Sequence, residues 1–158
     1  MGTGVTVLVD VDAPPATLWA VLAQPSAWPE WTESIVAVDL LDGDLALGAR
    51  ARVAQPGLRP MVWTVTEFEP GRSFTWTATA GGVRTAGSHV VEELDGGRRS
   101  RLTLGLTQRG ALAPLVRLLL GKRTRQYVGL EAAGLKAAAE DRVGEASGTA
   151  GEERPAVS

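Results

Sequence analysis

The sequence contains no cysteine, a single histidine and no long apolar run. The lack of cysteine excludes disulfide bonds and thiolate metal sites, and it fits a reducing compartment, so we expect a cytoplasmic protein. With His89 as the only histidine, a metal site built from several histidines is excluded. No apolar run approaches the roughly 20 residues that a membrane-spanning helix needs. The N-terminus lacks the basic segment of a signal peptide, so we expect neither a leader nor an integral membrane segment.

Charge and length narrow the class of protein further. The chain has 158 residues, with 16 Lys and Arg against 18 Asp and Glu, and a net charge of −2. Because nucleic-acid-binding domains are usually basic, we expect no nucleic-acid partner. The length fits one domain, which we place at residues 1–142. Residues 143–158 contain almost no large apolar side chain, so we expect a disordered C-terminal tail.

Strand patterns dominate the first two thirds of the chain. Alternating valines predict a first strand over residues 5–11, and Pro14-Pro15 then starts a helix that ends near Ala23. Further strands are predicted at residues 35–41, 49–55, 61–69, 73–79, 83–94 and 101–108. Gly-, Asp- and Pro-rich turns separate these strands, which is typical of an antiparallel meander. In the strand over 61–69, Trp63 and Phe68 point to opposite faces unless a bulge near Glu67 shifts the pattern.

The C-terminal third is predicted to be one long helix over residues 113–139. Its apolar positions follow helical spacing at Leu112, Leu115, Val116, Leu119, Tyr127, Leu130 and Ala137. At ~1.5 Å per residue this helix is about 40 Å long, enough to cover a sheet of seven strands about 34 Å across. The order of elements predicts an α+β fold with helices on one face of an antiparallel sheet. A curved sheet around one helix leaves a gap, which is a common place for an apolar ligand.

Four stretches resemble a known family. They are VDAPPATLWAVLAQPSAWPEW, VTEFEPGRSFTW, GSHVVEELDGGRRSRLTL and the long C-terminal helix, and together they cover residues 5–139. The chain resembles the START-like SRPBCC superfamily, and most closely its polyketide cyclase/dehydrase-like bacterial members. The resemblance implies a helix-grip fold, in which a curved antiparallel sheet of about seven strands wraps around the C-terminal helix. It also implies two short helices after the first strand and a deep hydrophobic pocket.

Aromatic residues are the main candidates for the pocket wall. Trp28 and Trp31 lie in the proline-broken segment SAWPEW, which the resemblance places at one end of the sheet, as core filler or as pocket wall. Phe74 and Trp76 share one strand face, which we expect to face the cavity. Trp63 and Trp76 are as compatible with packing under the helix as with ligand contact, whereas Trp19 is expected in the core.

Few polar residues suit catalysis. His89 is open to three interpretations: a proton shuttle, a polar contact in the pocket, or a surface residue. Arg123 on the long helix is the other candidate catalytic residue. The residues expected to contact a ligand are Trp28, Trp31, Trp63, Phe74, Trp76, His89, Leu119, Arg123, Gln126, Tyr127 and Leu130. No metal motif, nucleophile elbow or phosphate loop is present, so we expect no metal and no cofactor.

Two further features of the long helix remain open. Gly129 and Gly134 remove side chains from it, which indicates close approach of a ligand or of the sheet backbone. The basic run KRTR, residues 122–125, is compatible with contact to an anionic membrane, but four residues alone are too few to argue it.

Three functions are compatible with the sequence. The first is binding of an apolar small molecule, such as a lipid, polyketide, aromatic or quinone-like compound, in the internal cavity. The second is a polyketide cyclase or dehydratase that uses the same pocket to fold its substrate. The third is a protein-interaction module. The sequence favours ligand binding because polar residues suited to catalysis are few, and it leaves monomer and homodimer open.

Overall fold

The structure is a computed structural model that describes the backbone of residues 3–150 and the side chains of residues 4–146. Its strands are β1 (Thr3–Val11), β2 (Ala37–Leu40), β3 (Arg50–Ala54), β4 (Met61–Glu69), β5 (Ser73–Ala80), β6 (Val83–Leu94) and β7 (Arg99–Arg109). Its helices are α1 (Pro15–Leu22) and α2 (Ala113–Ala150), with 3₁₀ helices at Pro25–Glu30 and Asp95–Gly97. The predicted α+β arrangement and the seven strands are confirmed.

All seven strands form one antiparallel sheet in the order β1-β7-β6-β5-β4-β3-β2. Because β1 and β2 are consecutive in sequence but lie at opposite edges, the chain must cross the sheet between them. The helix α1 and the 3₁₀ helix Pro25–Glu30 make this crossing. With α2 packed against β1, β7 and α1, the molecule is the helix grip that the family resemblance implies.

The predicted bulge in β4 is present. The register between β4 and β5 shifts between Val65 and Glu67. As a result Trp63 and Val65 are buried, and Phe68 also packs against the core although it is an odd number of residues from both. Val62 points outward and is 47% exposed. One extra residue thus lets both ends of the strand keep their aromatic side chains inside.

The helix α2 begins at Ala113 as predicted but continues beyond residue 139. Val143, one turn after the fully buried Ala139, packs against the core, and the helix reaches Ala150. The expected disordered tail is therefore wrong for residues 143–150, which are helical. Its remainder, residues 151–158, lies outside the described residues.

The apolar stripe predicted on α2 has the wrong phase. Leu115 is 50% and Leu119 is 71% exposed, so neither faces the sheet. The buried face consists of Val128, Ala132, Leu135 and Ala139. The prediction was wrong because it followed the leucines at the start of α2, whereas the C-terminal half of the helix, where Gly134 and alanines allow close approach, determines the buried face.

Gly134 shows how tight this packing is. A Cβ atom at Gly134 would lie 2.4 Å from the carbonyl oxygen of Trp31 and 2.7 Å from its indole ring. The close neighbour of this glycine is thus the end of the 3₁₀ helix Pro25–Glu30, and neither a ligand nor the sheet. A Cβ atom at Gly129 would have no described atom within 4 Å.

We expect Gly134→Ala to destabilise the protein by about 1–3 kcal/mol, because the added methyl group overlaps Trp31. Gly129→Ala in the same helix is the matched control and should stabilise it by up to about 1 kcal/mol, since alanine is the better helix former. Urea unfolding followed by circular dichroism measures both. Equal effects of the two substitutions would contradict the close contact between α2 and Trp31.

Candidate ligand-binding cavity

A cavity of about 420 Å³ lies between the concave face of the sheet and the N-terminal half of α2. This volume falls within the range of small-molecule sites. Strands β3 to β7 form its floor, and the loop between β3 and β4 forms part of its rim. Five of the eleven predicted contact residues line it, namely Trp28, Trp63, Trp76, His89 and Tyr127.

Three indoles form one continuous wall of the cavity. The ring centroids of Trp28 and Trp76 are 5.4 Å apart, and those of Trp63 and Trp76 are 5.8 Å apart. Gly87 on β6 makes this arrangement possible, because a Cβ atom there would lie 3.1 Å from Trp76 Nε1. Trp28 is fully buried, and its Nε1–H has no acceptor among the described residues. A buried donor without a partner costs about 1–3 kcal/mol.

His89 occupies the inner end of the wall and is 4% exposed. Its ring stacks on Phe74, with centroids 4.1 Å apart and planes at 12°. Its Nδ1 lies 3.3 Å from the carbonyl oxygen of Phe74. Because a carbonyl can only accept a hydrogen bond, this contact assigns the proton to Nδ1. The other nitrogen, Nε2, is then the one available to exchange a proton.

Glu131 on α2 faces that nitrogen. Its Oε1 lies 3.4 Å from His89 Nε2, and this oxygen is buried and makes no hydrogen bond within the described part of the chain. The imidazole nitrogen and the carboxylate oxygen thus face each other inside the fold across 3.4 Å. Both residues line the cavity. They are a histidine and a carboxylate in contact at the wall of the cavity.

The sequence interpretation missed Glu131. A signal was present, because Glu131 is the only acidic residue between Gly96 and Ala139. An isolated carboxylate on the inner face of a helix is unusual unless it has a partner. The partner, His89, is 42 positions away in sequence, and only the packing of α2 over β6 brings them together.

The remaining predicted residues on α2 lie outside the cavity lining. Arg123 is exposed, and its Nη1 donates a hydrogen bond to the Gly57 carbonyl at 3.5 Å. Tyr127, which does line the cavity, donates through Oη to the Pro56 carbonyl at 2.6 Å. These two bonds hold the β3–β4 loop against the helix. Leu119, Gln126 and Leu130 are exposed, because the helix turns Val116, Leu120, Thr124, Val128 and Glu131 inward instead.

Two predicted aromatic contacts support the wall from behind. Phe74 is fully buried beneath His89, and Trp31 packs against Trp28 and Gly134. Trp19, expected in the core, contacts Phe68 and Phe74. The indole Trp28 thus belongs to the core and to the cavity wall at once.

Neither a metal centre nor a spanning helix is found in the part of the chain that the structure describes. Among those residues no group of three or more His, Cys, Asp or Glu side chains could hold a metal ion. None of the described helices is both long and apolar enough to cross a membrane.

Solved structures share this fold. The Zhui aromatase/cyclase from Streptomyces sp. R1128 is 20% identical, with a TM-score of 0.75 over 90% of this chain and 96% of that chain. The di-domain aromatase/cyclase StfQ of the steffimycin biosynthetic pathway is 13% identical, with a TM-score of 0.74 over 91% of this chain and 53% of that chain. A START superfamily protein from Mycobacterium smegmatis is 19% identical, with a TM-score of 0.64 over 90% of this chain and 98% of that chain.

A comparison with curated proteins gave no match. A family model described as "Polyketide cyclase / dehydrase and lipid transport" matches residues 3–140. This range includes every strand, the indole wall, His89 and Glu131. The match agrees with the START-like SRPBCC resemblance of the sequence and with the helix-grip fold of the solved structures. The chain therefore belongs to the polyketide cyclase/dehydrase and lipid transport family.

Proposed function

We propose that the protein binds an apolar small molecule of the lipid, polyketide, aromatic or quinone-like class in this cavity. The observation that supports the proposal is a space of about 420 Å³ walled by three indoles and not filled by core side chains. Each indole offers a large apolar surface to a guest. Burial of that surface favours binding by about 25 cal/mol for each Å² removed from water.

The polar groups of the cavity narrow the class of ligand. Trp28 Nε1–H lacks an acceptor among the side chains and backbone described, and Glu131 Oε1 has only the 3.4 Å contact with His89. A plain alkyl chain would leave both groups unpaired and buried, which is unfavourable. Trp28 Nε1 and Glu131 Oε1 are covered by protein neighbours, and a ligand that carries ketone, phenol or quinone oxygens can satisfy them once a small shift of the wall uncovers them. These contacts favour an oxygenated aromatic or polyketide ligand over a fatty acyl chain.

The binding proposal predicts a response of tryptophan fluorescence to such ligands, because Trp28, Trp63 and Trp76 would contact them. Thr85 lines the cavity and is 8% exposed, so Thr85→Phe should fill the space and weaken binding about tenfold or more. Thr107→Phe, on the exposed face of β7, is the matched control and should leave affinity within about twofold. Titration with hydroxylated naphthalenes, quinones and fatty acids measures the effect.

Two results would contradict the binding proposal. One is the absence of any fluorescence change across the whole panel of ligands. The other is an equal loss of affinity in Thr85→Phe and Thr107→Phe, when circular dichroism shows both variants folded. Either result would mean that the space between sheet and helix is not the binding site.

A second function, cyclisation or dehydration of a poly-β-ketone, is favoured by the His89–Glu131 pair. With its Nδ1–H held by Phe74, His89 is set to accept a proton at Nε2 from a carbon between two carbonyls. The electron pair of that C–H bond then forms the new C–C bond to a ketone carbon, and the ketone oxygen takes up the proton that His89 Nε2 now carries. In a following dehydration, His89 Nε2 takes the remaining proton from the carbon between the carbonyls, the electron pair of that C–H bond forms the C=C bond, and Glu131 in its acid form donates to the hydroxyl that leaves as water. The indole wall holds the chain folded for the closure.

For the enzymatic function, Glu131→Gln should lower the rate of cyclisation of a triketide or tetraketide thioester mimic by about 10²- to 10⁴-fold. His89→Gln should have a similar effect. Ligand affinity should stay within about threefold for Glu131→Gln, because the amide keeps the shape of the carboxylate. Glu92→Gln, on the exposed face of β6, is the control and should retain full activity.

Product formation by high-performance liquid chromatography, together with fluorescence titration, separates the two functions. Ligand binding by the wild type without turnover of any thioester mimic would leave binding alone as the function. Full activity of both Glu131→Gln and His89→Gln would contradict the proposed enzymatic function.

A further inference from the structure

The first two turns of α2 and the residue before them carry an unusual set of exposed leucines, which we call the leucine tip. Its members are Leu112 (48% exposed), Leu115 (50%), Leu118 (81%) and Leu119 (71%). Single exposed leucines are common, but four within eight residues form a contiguous apolar patch, and such patches mark interaction sites. The tip does not belong to the cavity, because none of its four leucines lines it.

Cations lie beside the leucine tip and beyond it along the helix. Arg117, Lys122, Arg123 and Arg125 are all exposed, and none of the chain's 18 acidic residues occurs between Gly96 and Leu130. No ion pair joins any of these four cations to a carboxylate in the described structure. We call this group the cationic band. Arg117, Lys122 and Arg125 also line a second pocket of about 260 Å³ between α2 and β1.

The sheet adds two arginines at the same end of the molecule. Arg84 and Arg109 lie directly opposite each other in the β6–β7 ladder and are both exposed. Like charges at opposed positions are destabilising unless an anion lies between or near them. This end of β6 and β7 adjoins the start of α2, because a Cβ atom at Gly110 would lie 2.2 Å from the Gly82 carbonyl, and Gly82 also neighbours Leu112.

We propose that this end of the protein docks on an anionic lipid bilayer. The leucine tip enters the interface, and the cationic band with Arg84 and Arg109 contacts the phosphate and glycerol head groups. Residues 112–119 extend over about 10 Å at ~1.5 Å per residue, and interfacial helices bury their apolar side chains about 5–10 Å deep. Lys122, Arg123 and Arg125 follow within the next two turns of the helix, at the depth of the head groups, and the long side chain of Arg117 can extend to them from beside the leucines.

Charge and shape decide between the possible occupants of this surface. A second copy of the chain in a symmetric contact would bring two cationic bands together without compensating acids. A protein partner would need a groove shaped to the leucines, which project from the helix over an arc of about 120° and form a convex surface. A fluid bilayer accepts a convex apolar tip without such a groove, and its anionic lipids attract each nearby cation.

Docking of this end would bring the ligand cavity close to the bilayer. Val116, Leu120 and Thr124, on the inner side of the same helical segment, line the cavity. An apolar ligand could then move between bilayer and cavity over a short path. The docking proposal goes beyond the proposed function and does not depend on it, because vesicle binding can be measured without any ligand.

Site-specific fluorescence tests the docking directly, because the chain has no cysteine of its own. Leu119→Cys labelled with the environment-sensitive dye NBD should shift to the blue on vesicles of phosphatidylglycerol and phosphatidylcholine, and not on pure phosphatidylcholine. Leu47→Cys is the matched control, since Leu47 is 68% exposed in the connection between β2 and β3. Its label should not respond to either kind of vesicle.

Charge and apolar variants measure the two contributions separately by vesicle sedimentation. Lys122→Gln with Arg125→Gln should weaken binding about 10- to 30-fold, since each cation near the surface contributes about fivefold. Leu118→Gln with Leu119→Gln should also weaken it at least tenfold. Arg52→Gln with Arg98→Gln, exposed cations elsewhere, should change it less than threefold.

Several outcomes would overturn the docking proposal. They are no binding to anionic vesicles, equal binding to neutral vesicles, and an equal response of the labels at positions 47 and 119. A blue shift with poly-L-glutamate as large as with vesicles would show polyanion binding without insertion. A blue shift that grows with protein concentration in the absence of vesicles would assign the leucine tip to self-association.

Discussion

The contact between Gly134 and Trp31 determines which part of the molecule is closely packed and which part contains the cavity. It brings α2 against the 3₁₀ helix Pro25–Glu30 with no side chain between them. Around this contact the buried residues of the helix are small or medium in size, as Ala132, Leu135 and Ala139 show. Toward its N-terminus α2 lacks an equally close neighbour below it, and the space left over the sheet is the cavity. Close packing under the C-terminal part of α2 thus leaves a cavity under its N-terminal half.

The same constraint explains which parts of the fold could be predicted from the sequence. Strands, turns and the β4 bulge follow from alternation and turn residues within a few positions, so local patterns suffice for them. The inward direction of Trp76 and His89 follows from the same alternation. The facing side of α2 depends instead on which residues tolerate close packing against Trp31, which lies about 100 positions away in sequence. For that reason Leu119, Arg123, Gln126 and Leu130 were expected to line the cavity and Glu131 was not.

Charge is distributed as unevenly as packing. Near the end of β1, Arg101 bonds Asp10 and Arg99 bonds Asp12 and Asp95. The hydrogen bond from Arg101 lowers the pKa of Asp10 below its usual value, against a smaller opposing effect of desolvation. At the leucine tip, in contrast, the described cations have no such partners. Arginines paired in one region and unpaired in another indicate that the unpaired ones are available to an external anion.

Hydrogen bonding of buried polar atoms is also uneven. Trp28 Nε1–H is buried without an acceptor among the described residues, and Glu131 Oε1 has only the long contact to His89. A core selected for stability alone would satisfy these groups or replace them with apolar ones, since an unmet buried donor or acceptor costs more than a hydrogen bond returns. Both residues lie at the wall of the cavity and not in the closely packed half of the molecule. The missing hydrogen bonds therefore occur next to the cavity. Both atoms are covered by protein neighbours, so a guest with oxygen atoms satisfies them only when a side chain of the wall shifts on binding, and the hydrogen bonds formed then contribute to the affinity for the ligand.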